Sequence, residues 1–333
     1  MDFLKIYTPK DVSSLLKPRA GEIKFGEKVC FVENLESLQK HPAKYVLLGI
    51  PEDIGVRANY GNPGTAKAWQ AALGSLLNIQ HNKYINAENV ILLGEIDCET
   101  QMKQAENISK TDAHFAEELG QLVTQIDHKV TAVVKAIISA GKFPIIIGGG
   151  HNNSFGNIKG TAEGLGKSIN CINFDAHTDF RALEHRHSGN GFSYVFEEGF
   201  LDKYFIFGLH RNYTSEAVFN SMQQDAARVN YNLFEDIAIA NKTTFNEAMK
   251  AAENFCGEKN FGLEVDLDAV ELMGSSAITP SGFTLTEARK FVSYFSKNKN
   301  ACYLHLCEGA PAAGISTNQI SKAIAYLVSD VLA

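Results

Sequence analysis

The sequence predicts an α/β protein built on a mostly parallel sheet with helices over both faces. Short apolar, β-branched runs alternate with longer stretches of helical period along almost the whole chain. The runs are nearly continuously apolar rather than alternating, as burial on both sides demands. The segments between them are long enough for crossover helices, the connection a parallel pair needs.

In chain order, the strand candidates are 45–50 (YVLLGI), 89–94 (NVILLG), 143–148 (FPIIIG), 169–174 (INCINF), 204–208 (YFIFG), 261–265 (FGLEV) and 301–306 (ACYLHL). Helices are expected over 65–77, 112–140, 154–165, 214–224, 243–256, 284–297 and 317–332. No Pro/Ser-rich linker, internal repeat or low-complexity tract divides the chain. The expectation is therefore an irregular segment over 1–40 and a single domain over 41–333.

A length of 333 residues can bury a large core, and 45% hydrophobic with 21% charged residues is ordinary for a globular protein. The formal net charge of -7 excludes the basic excess that a phosphate-reading surface needs. The longest apolar runs fall far short of the roughly 20 residues of a membrane span. The start, MDFLKIYTPKDVSSLLK, lacks an apolar signal-peptide core, so a cytoplasmic protein with no nucleic-acid or membrane partner is expected. Cysteines 30, 98, 171, 256, 302 and 307 are scattered without a CxxC pair and read as reduced thiols of the core.

Metal-ligand chemistry concentrates at three strand ends: GGGHNNSFG (148–156), FDAHTDFR (174–181) and EVDLDAV (264–270). Functional groups of open α/β sheets gather at the carboxyl edge. Asp175, His177 and Asp179 are two residues apart and would share a side in extended chain, as would Asp266 and Asp268. With His151 they make a set able to neutralise two divalent cations and lower the pKa of a water. Oxygen-rich and free of thiolate, the set favours Mn²⁺ over Zn²⁺. Singly, a His after a strand or a DxD pair is commonly structural or capping. Jointly, so many ionisable groups resist burial without a metal. The glycines of GGGHNNSFG fit neither GxGxxG, since Asn153 stands sixth, nor a P-loop; they suit a tight turn.

GGGH, DAHTD and DLD in this order resemble the ureohydrolase superfamily of arginase, agmatinase and formimidoylglutamase, from about residue 45 to the C-terminus. GIPEDIGVRANYGNPGTAKAW (49–69) is similar to its first loop. The resemblance implies a three-layer α/β/α fold with an eight-stranded, mostly parallel sheet. It also implies two Mn²⁺ per subunit and hydrolysis of a C–N bond at a guanidine or amidine carbon. It places Asp175 and Asp266 as bridging ligands, His151 and Asp179 on one metal, and His177 and Asp268 on the other. Glu308, in LHLCEGAP, matches the acidic residue facing the cationic substrate nitrogen; otherwise it is a helix-start carboxylate. Relatives commonly form trimers or hexamers, so a homo-oligomer is expected.

Specificity is expected in FRALEHRHSGNGFSYVFEEG (180–199). Ser188, Gly189 and Asn190 match the SGN of arginase-like chains, but Phe192 stands where a proton-shuttling His is expected. With GGGH and DFR, this resembles formimidoylglutamase more closely. Arg181, and next Arg186, are candidate clamps for a substrate carboxylate, with Ser188 and Asn190 beside them. Arg181 could equally serve only to hold its loop. His187, then His185, is the candidate proton donor. The expected reaction is N-formimidoyl-L-glutamate plus water giving L-glutamate and formamide. The alternatives are a urea-releasing agmatinase or arginase, a non-catalytic metal-binding relative, and a single-zinc deacetylase.

Overall fold

The structure is a computed structural model that describes residues 1–311 and 317–333. The strands are β1 (Leu4–Ile6), β2 (Tyr45–Gly49), β3 (Val90–Ile96), β4 (Phe143–Ile147), β5 (Ile169–Phe174), β6 (Leu201–Leu209), β7 (Val229–Leu233), β8 (Phe261–Asp266) and β9 (Ala301–Cys307). They form one nine-stranded sheet in the order β1-β3-β2-β4-β9-β8-β5-β6-β7. All neighbours run parallel except β1, which pairs antiparallel with β3 through Leu4↔Ile96.

The helices, in chain order, are α1 (Pro9–Val12), α2 (Ile54–Ala58), α3 (Ala68–Leu76), α4 (Glu99–Glu106), α5 (Phe115–Ser139), α6 (Ser154–Leu165), α7 (Gly191–Glu197), α8 (Glu216–Gln224), α9 (Phe245–Cys256), α10 (Leu285–Phe295) and α11 (Thr317–Leu332). Among the described residues, no helix is long and apolar enough to cross a membrane.

Alternation along the strands splits the core into two layers. Leu47, Ile145, Phe174 and Val265 meet Trp69 of α3, Ala252 of α9, Phe291 of α10 and Leu327 of α11. Val46, Leu48, Ile146 and Cys171 meet Val130 and Val134 of α5 and Ile158 of α6. This is the three-layer arrangement expected from the continuous apolar runs. All six cysteines are free, and all but Cys30 are buried.

Two strands differ from expectation. β1 makes the first 40 residues less irregular than their composition suggests, but at three residues it is too short to show a period. β7, VNYNL, carries two asparagines because it is the far edge of the sheet, where one side needs no apolar cover.

The arrangement that positions the site is the run β4-β9-β8-β5 at the centre of the sheet. Register pairs Ile147 with Leu306, Cys307 with Asp266, and Val265 with Phe174. The residues just beyond these pairs therefore emerge side by side at one carboxyl edge.

Candidate metal centre and its cleft

His151 opens the turn between β4 and α6. Gly148 and Gly149 have φ of 93° and 77°, a conformation that favours glycine, so the GGG run makes a tight turn as expected. His151 is fully buried. Its Nδ1 lies 3.2 Å from Asp175 Oδ2, 2.8 Å from Asp179 Oδ2 and 3.1 Å from Asp266 Oδ2. Across the cleft floor, His177 Nδ1 is 3.2 Å from Asp268 Oδ2 and 3.6 Å from Asp175 Oδ1.

The spacing of two works through a different geometry from the extended chain expected. The His177 N–H donates to Asp175 Oδ1 at 2.7 Å, and the Asp268 N–H donates to Asp266 Oδ1 at 2.7 Å. Both pairs are turns closed by the first aspartate, because a short carboxylate readily accepts the amide two residues on. Asn173 Nδ2 donates to Asp175 Oδ2 at 2.9 Å, fixing its other oxygen.

His151, Asp175, Asp179 and Asp266 each offer one atom within 4.8 Å of the others, and so do Asp175, His177 and Asp268. Asp175 belongs to both groups. His151 Nδ1 has three carboxylate oxygens close by, yet no hydrogen bond of acceptable geometry forms there; Asp268 Oδ1 is likewise buried without a partner. Donor atoms converging on one another without a hydrogen bond of acceptable geometry fit a cation. The electrostatics agree. Burial, then repulsion from Asp268 and Asp175, pushes Asp266 well above the usual carboxylate range. Burial and the Asp175 charge raise Asp179 to about 6. Cys307 lies near His151 and Asp266, with burial pushing its thiol well above the usual range; the donors of the two groups that share Asp175 are carboxylate oxygens and imidazole nitrogens. That donor set suits Mn²⁺.

Glu308 follows β9 at φ 59°. Its Oε1 accepts the His151 N–H at 2.7 Å and its Oε2 accepts the Ser276 hydroxyl. Burial raises this carboxyl to about 8, against those donated hydrogen bonds. Glu308, His177, Asp179, Asp266 and Asp268 face a cleft of about 650 Å³ whose mouth includes Arg181, Ser188 and Asn59. Tyr213 stacks on His177, with centroids 4.7 Å apart.

The loop residues divide sharply. Arg181 is half-exposed at the mouth, donating from Nη1 to Asn59 Oδ1 at 2.6 Å and from Nη2 to Glu184 Oε1 at 2.9 Å. Ser188 accepts from Asn59 Nδ2 at 3.2 Å. Arg186, Asn190 and His187, expected at the substrate, are buried and bonded within the protein. Arg186 donates to both oxygens of Asp127 on α5, at 3.0 and 3.2 Å, and to Asn190 Oδ1 at 2.6 Å. Asn190 donates back to His185 O at 2.9 Å. His187 is 1% exposed: its Nδ1 accepts the Gly189 N–H at 3.0 Å and its Nε2 faces Glu184 Oε1 at 3.0 Å. His185 Nε2 meets Ala58 O at 3.2 Å. A buried aspartate on a distant helix claims this polar loop, and spacing carries no trace of it. Phe192 is buried edge-on to His151, with centroids 5.1 Å apart, and stacks on Tyr204.

Sequence reasoning also missed groups beneath the site. Glu264 accepts from Tyr303 Oη at 2.7 Å, pairs with His305 Nδ1 at 2.5 Å, and lies 3.5 Å from His151 Nε2. Glu52 binds the GGGHNN turn from the first loop. The partners of Glu264 lie far away in the chain, and so do the turn residues that Glu52 binds, so spacing signals neither contact.

The profile of the arginase family matches residues 43–333. The formimidoylglutamase of Rhodococcus jostii (strain RHA1) is 28% identical over 212 residues, covering 60% of this chain and 58% of that protein. That of Geobacillus sp. (strain WCH70) is 26% identical over 291 residues, covering 85% and 81%. The fold is similar to that of Trypanosoma cruzi formiminoglutamase solved with Mn²⁺, with a TM-score of 0.71, 19% identity, and coverage of 93% and 97% of the two chains.

Proposed function

Because the chain belongs to the arginase family, we propose that it is a binuclear metallohydrolase that converts N-formimidoyl-L-glutamate and water into L-glutamate and formamide. The observation that carries the metal reading is His151 Nδ1, ringed by three aspartate oxygens within 3.2 Å without a hydrogen bond. His151, Asp175, Asp179 and Asp266 would hold one cation and His177 and Asp268 the other, with Asp175 and Asp266 shared. We read both as Mn²⁺, the ion with which the trypanosomal neighbour was solved. Bound there, the pair would supply Lewis acidity that lowers the pKa of a water molecule.

The chain's own residues do the rest. Glu308 is anchored by the His151 amide and the Ser276 hydroxyl, so its carboxyl faces the cleft in one orientation. There it meets the cationic amidine nitrogens. Arg181, steadied by Asn59, presents its guanidinium at the mouth, where a substrate carboxylate would lie. Ser188 adds a hydroxyl beside it. Arg186, Asn190 and His187 hold the loop in shape and act on substrate only through Arg181 and Ser188. The names of the two bacterial relatives support this substrate, and Phe192 in place of a shuttle histidine speaks against arginine. Product identity tests the proposal: formamide from formimidoylglutamate supports it, and urea from agmatine or arginine alone refutes it.

A further inference from the structure

We propose that Glu52 is a positioning residue that fixes the metal end of the cleft relative to its carboxylate-binding end, an inference that rests on the reading of the cleft given above. Glu52 is fully buried in the loop after β2. Its Oε1 accepts from Gly150 N at 2.9 Å, Asn152 Nδ2 at 3.2 Å and Asn153 Nδ2 at 2.6 Å. Its Oε2 accepts from Ile54 N at 2.7 Å and Gly55 N at 3.4 Å. One carboxylate thus joins two segments about a hundred residues apart.

On one side it grips the turn that carries His151. The amides of Gly150 and His151 are consecutive, and they end on two different buried carboxylates, Glu52 and Glu308. Glycine is needed here for space. A Cβ on Gly149 would lie 2.3 Å from Asn153 Nδ2 and 2.9 Å from Glu52 Oε1. On the other side Glu52 caps the first amides of α2. That helix leads directly to Asn59, which accepts from Arg181 Nη1 at 2.6 Å and donates to Ser188 at 3.2 Å. A Cβ on Gly55 would fall 2.0 Å from Asn152 Oδ1, so α2 already touches the turn. If Glu52 loosens, His151 and Arg181 lose their common reference, and the span available to a substrate between them becomes variable.

An isosteric glutamine cannot replace this carboxylate. Whichever way its amide lies, its NH₂ faces N–H donors, either the pair on α2 or the group on the turn. The test uses Glu52→Gln and Asn153→Ala in the full chain. Measurements are the Mn²⁺ dissociation constant and kcat/KM on N-formimidoyl-L-glutamate and its one-methylene-shorter aspartate analogue. Glu52→Gln is expected to weaken Mn²⁺ binding on the order of 10- to 100-fold. It is also expected to compress the preference between the two substrates by about tenfold. Asn153→Ala keeps the backbone bonds to Glu52 and is expected to shift both in the same direction by less; it carries the test if Glu52→Gln does not fold. Variants with wild-type Mn²⁺ affinity and wild-type substrate preference, altered only in Tm, would overturn the proposal. A wild-type protein inert toward both substrates would count against the proposed function, and the Mn²⁺ titration would still decide whether Glu52 positions His151.

Discussion

The main-chain N–H of His151 donates to Oε1 of Glu308 at 2.7 Å, so the buried imidazole among the aspartates and the acid facing the cleft share one anchor. Glu308→Gln keeps the shape but places an amide where the proposed function has a carboxylate meet cationic nitrogens. Steady-state assays are expected to show kcat/KM reduced by about a hundredfold or more, with bound Mn²⁺ little changed. Wild-type turnover in this variant would remove Glu308 from the chemistry.

Arg181 and Arg186, although five residues apart, should fail in different ways. Arg181 is half-exposed, and its pair with Glu184 contributes little stability. Arg181→Ala is expected to raise KM about 10-fold or more, with kcat within a few-fold and Tm unchanged. A normal KM would show that Arg181 only holds its loop.

Arg186→Met leaves Asp127 buried without its cation; the side chains are 6% and 3% exposed in the pair. Breaking a pair of this kind costs about 3–5 kcal/mol. Denaturant unfolding is expected to show that loss, with KM near wild type in the folded fraction. A raised KM at unchanged stability would return Arg186 to the substrate.

His187 supplies a pH signature. Burial, helped by Arg181 and His185 against the Glu184 carboxylate, lowers its pKa to about 4. Folding therefore favours the neutral ring. Its stabilisation is complete above the ordinary value of about 6.5 and is lost as pH falls toward 4. His187→Asn keeps an acceptor for the Gly189 N–H and removes the titration. The Tm advantage of wild type over this variant is expected to shrink between pH 7 and pH 4.5. A proton donor to substrate would instead show kcat at neutral pH reduced by orders of magnitude, with no such slope.

Chelation tests the cluster itself. Asp175, Asp179 and Asp266 converge on His151 Nδ1 without a hydrogen bond of acceptable geometry. Removing bound cations with EDTA is expected to lower Tm and abolish turnover, and Mn²⁺ to restore both. Unchanged Tm and activity after verified metal removal would refute a metal centre.

The legible parts of this molecule are those that rest on short spacings. Continuous apolar runs announce β2, β4, β5 and β8, and the strand-end motifs name the groups that register then sets side by side. β7 escaped because an edge strand tolerates Asn230 and Asn232. The burial of Arg186 and His187 was not legible because a polar loop reads as exposed; Asp127 on α5 draws Arg186 inward, and the Gly189 amide bonds the His187 ring. Glu264 has no local pattern, since Tyr303 and His305 are brought near only by the fold, and the local bonds of Glu52 to Ile54 and Gly55 give no hint of its grip on the His151 turn.

The central claim meets its most direct test in one assay: Mn²⁺-loaded protein with N-formimidoyl-L-glutamate, agmatine and arginine in parallel, scoring formamide, glutamate and urea. The expected result is formamide and glutamate in equal amounts from the first substrate, none from its Asp266→Ala variant, and no urea from the others. Urea from agmatine or arginine, with no formamide, would contradict it.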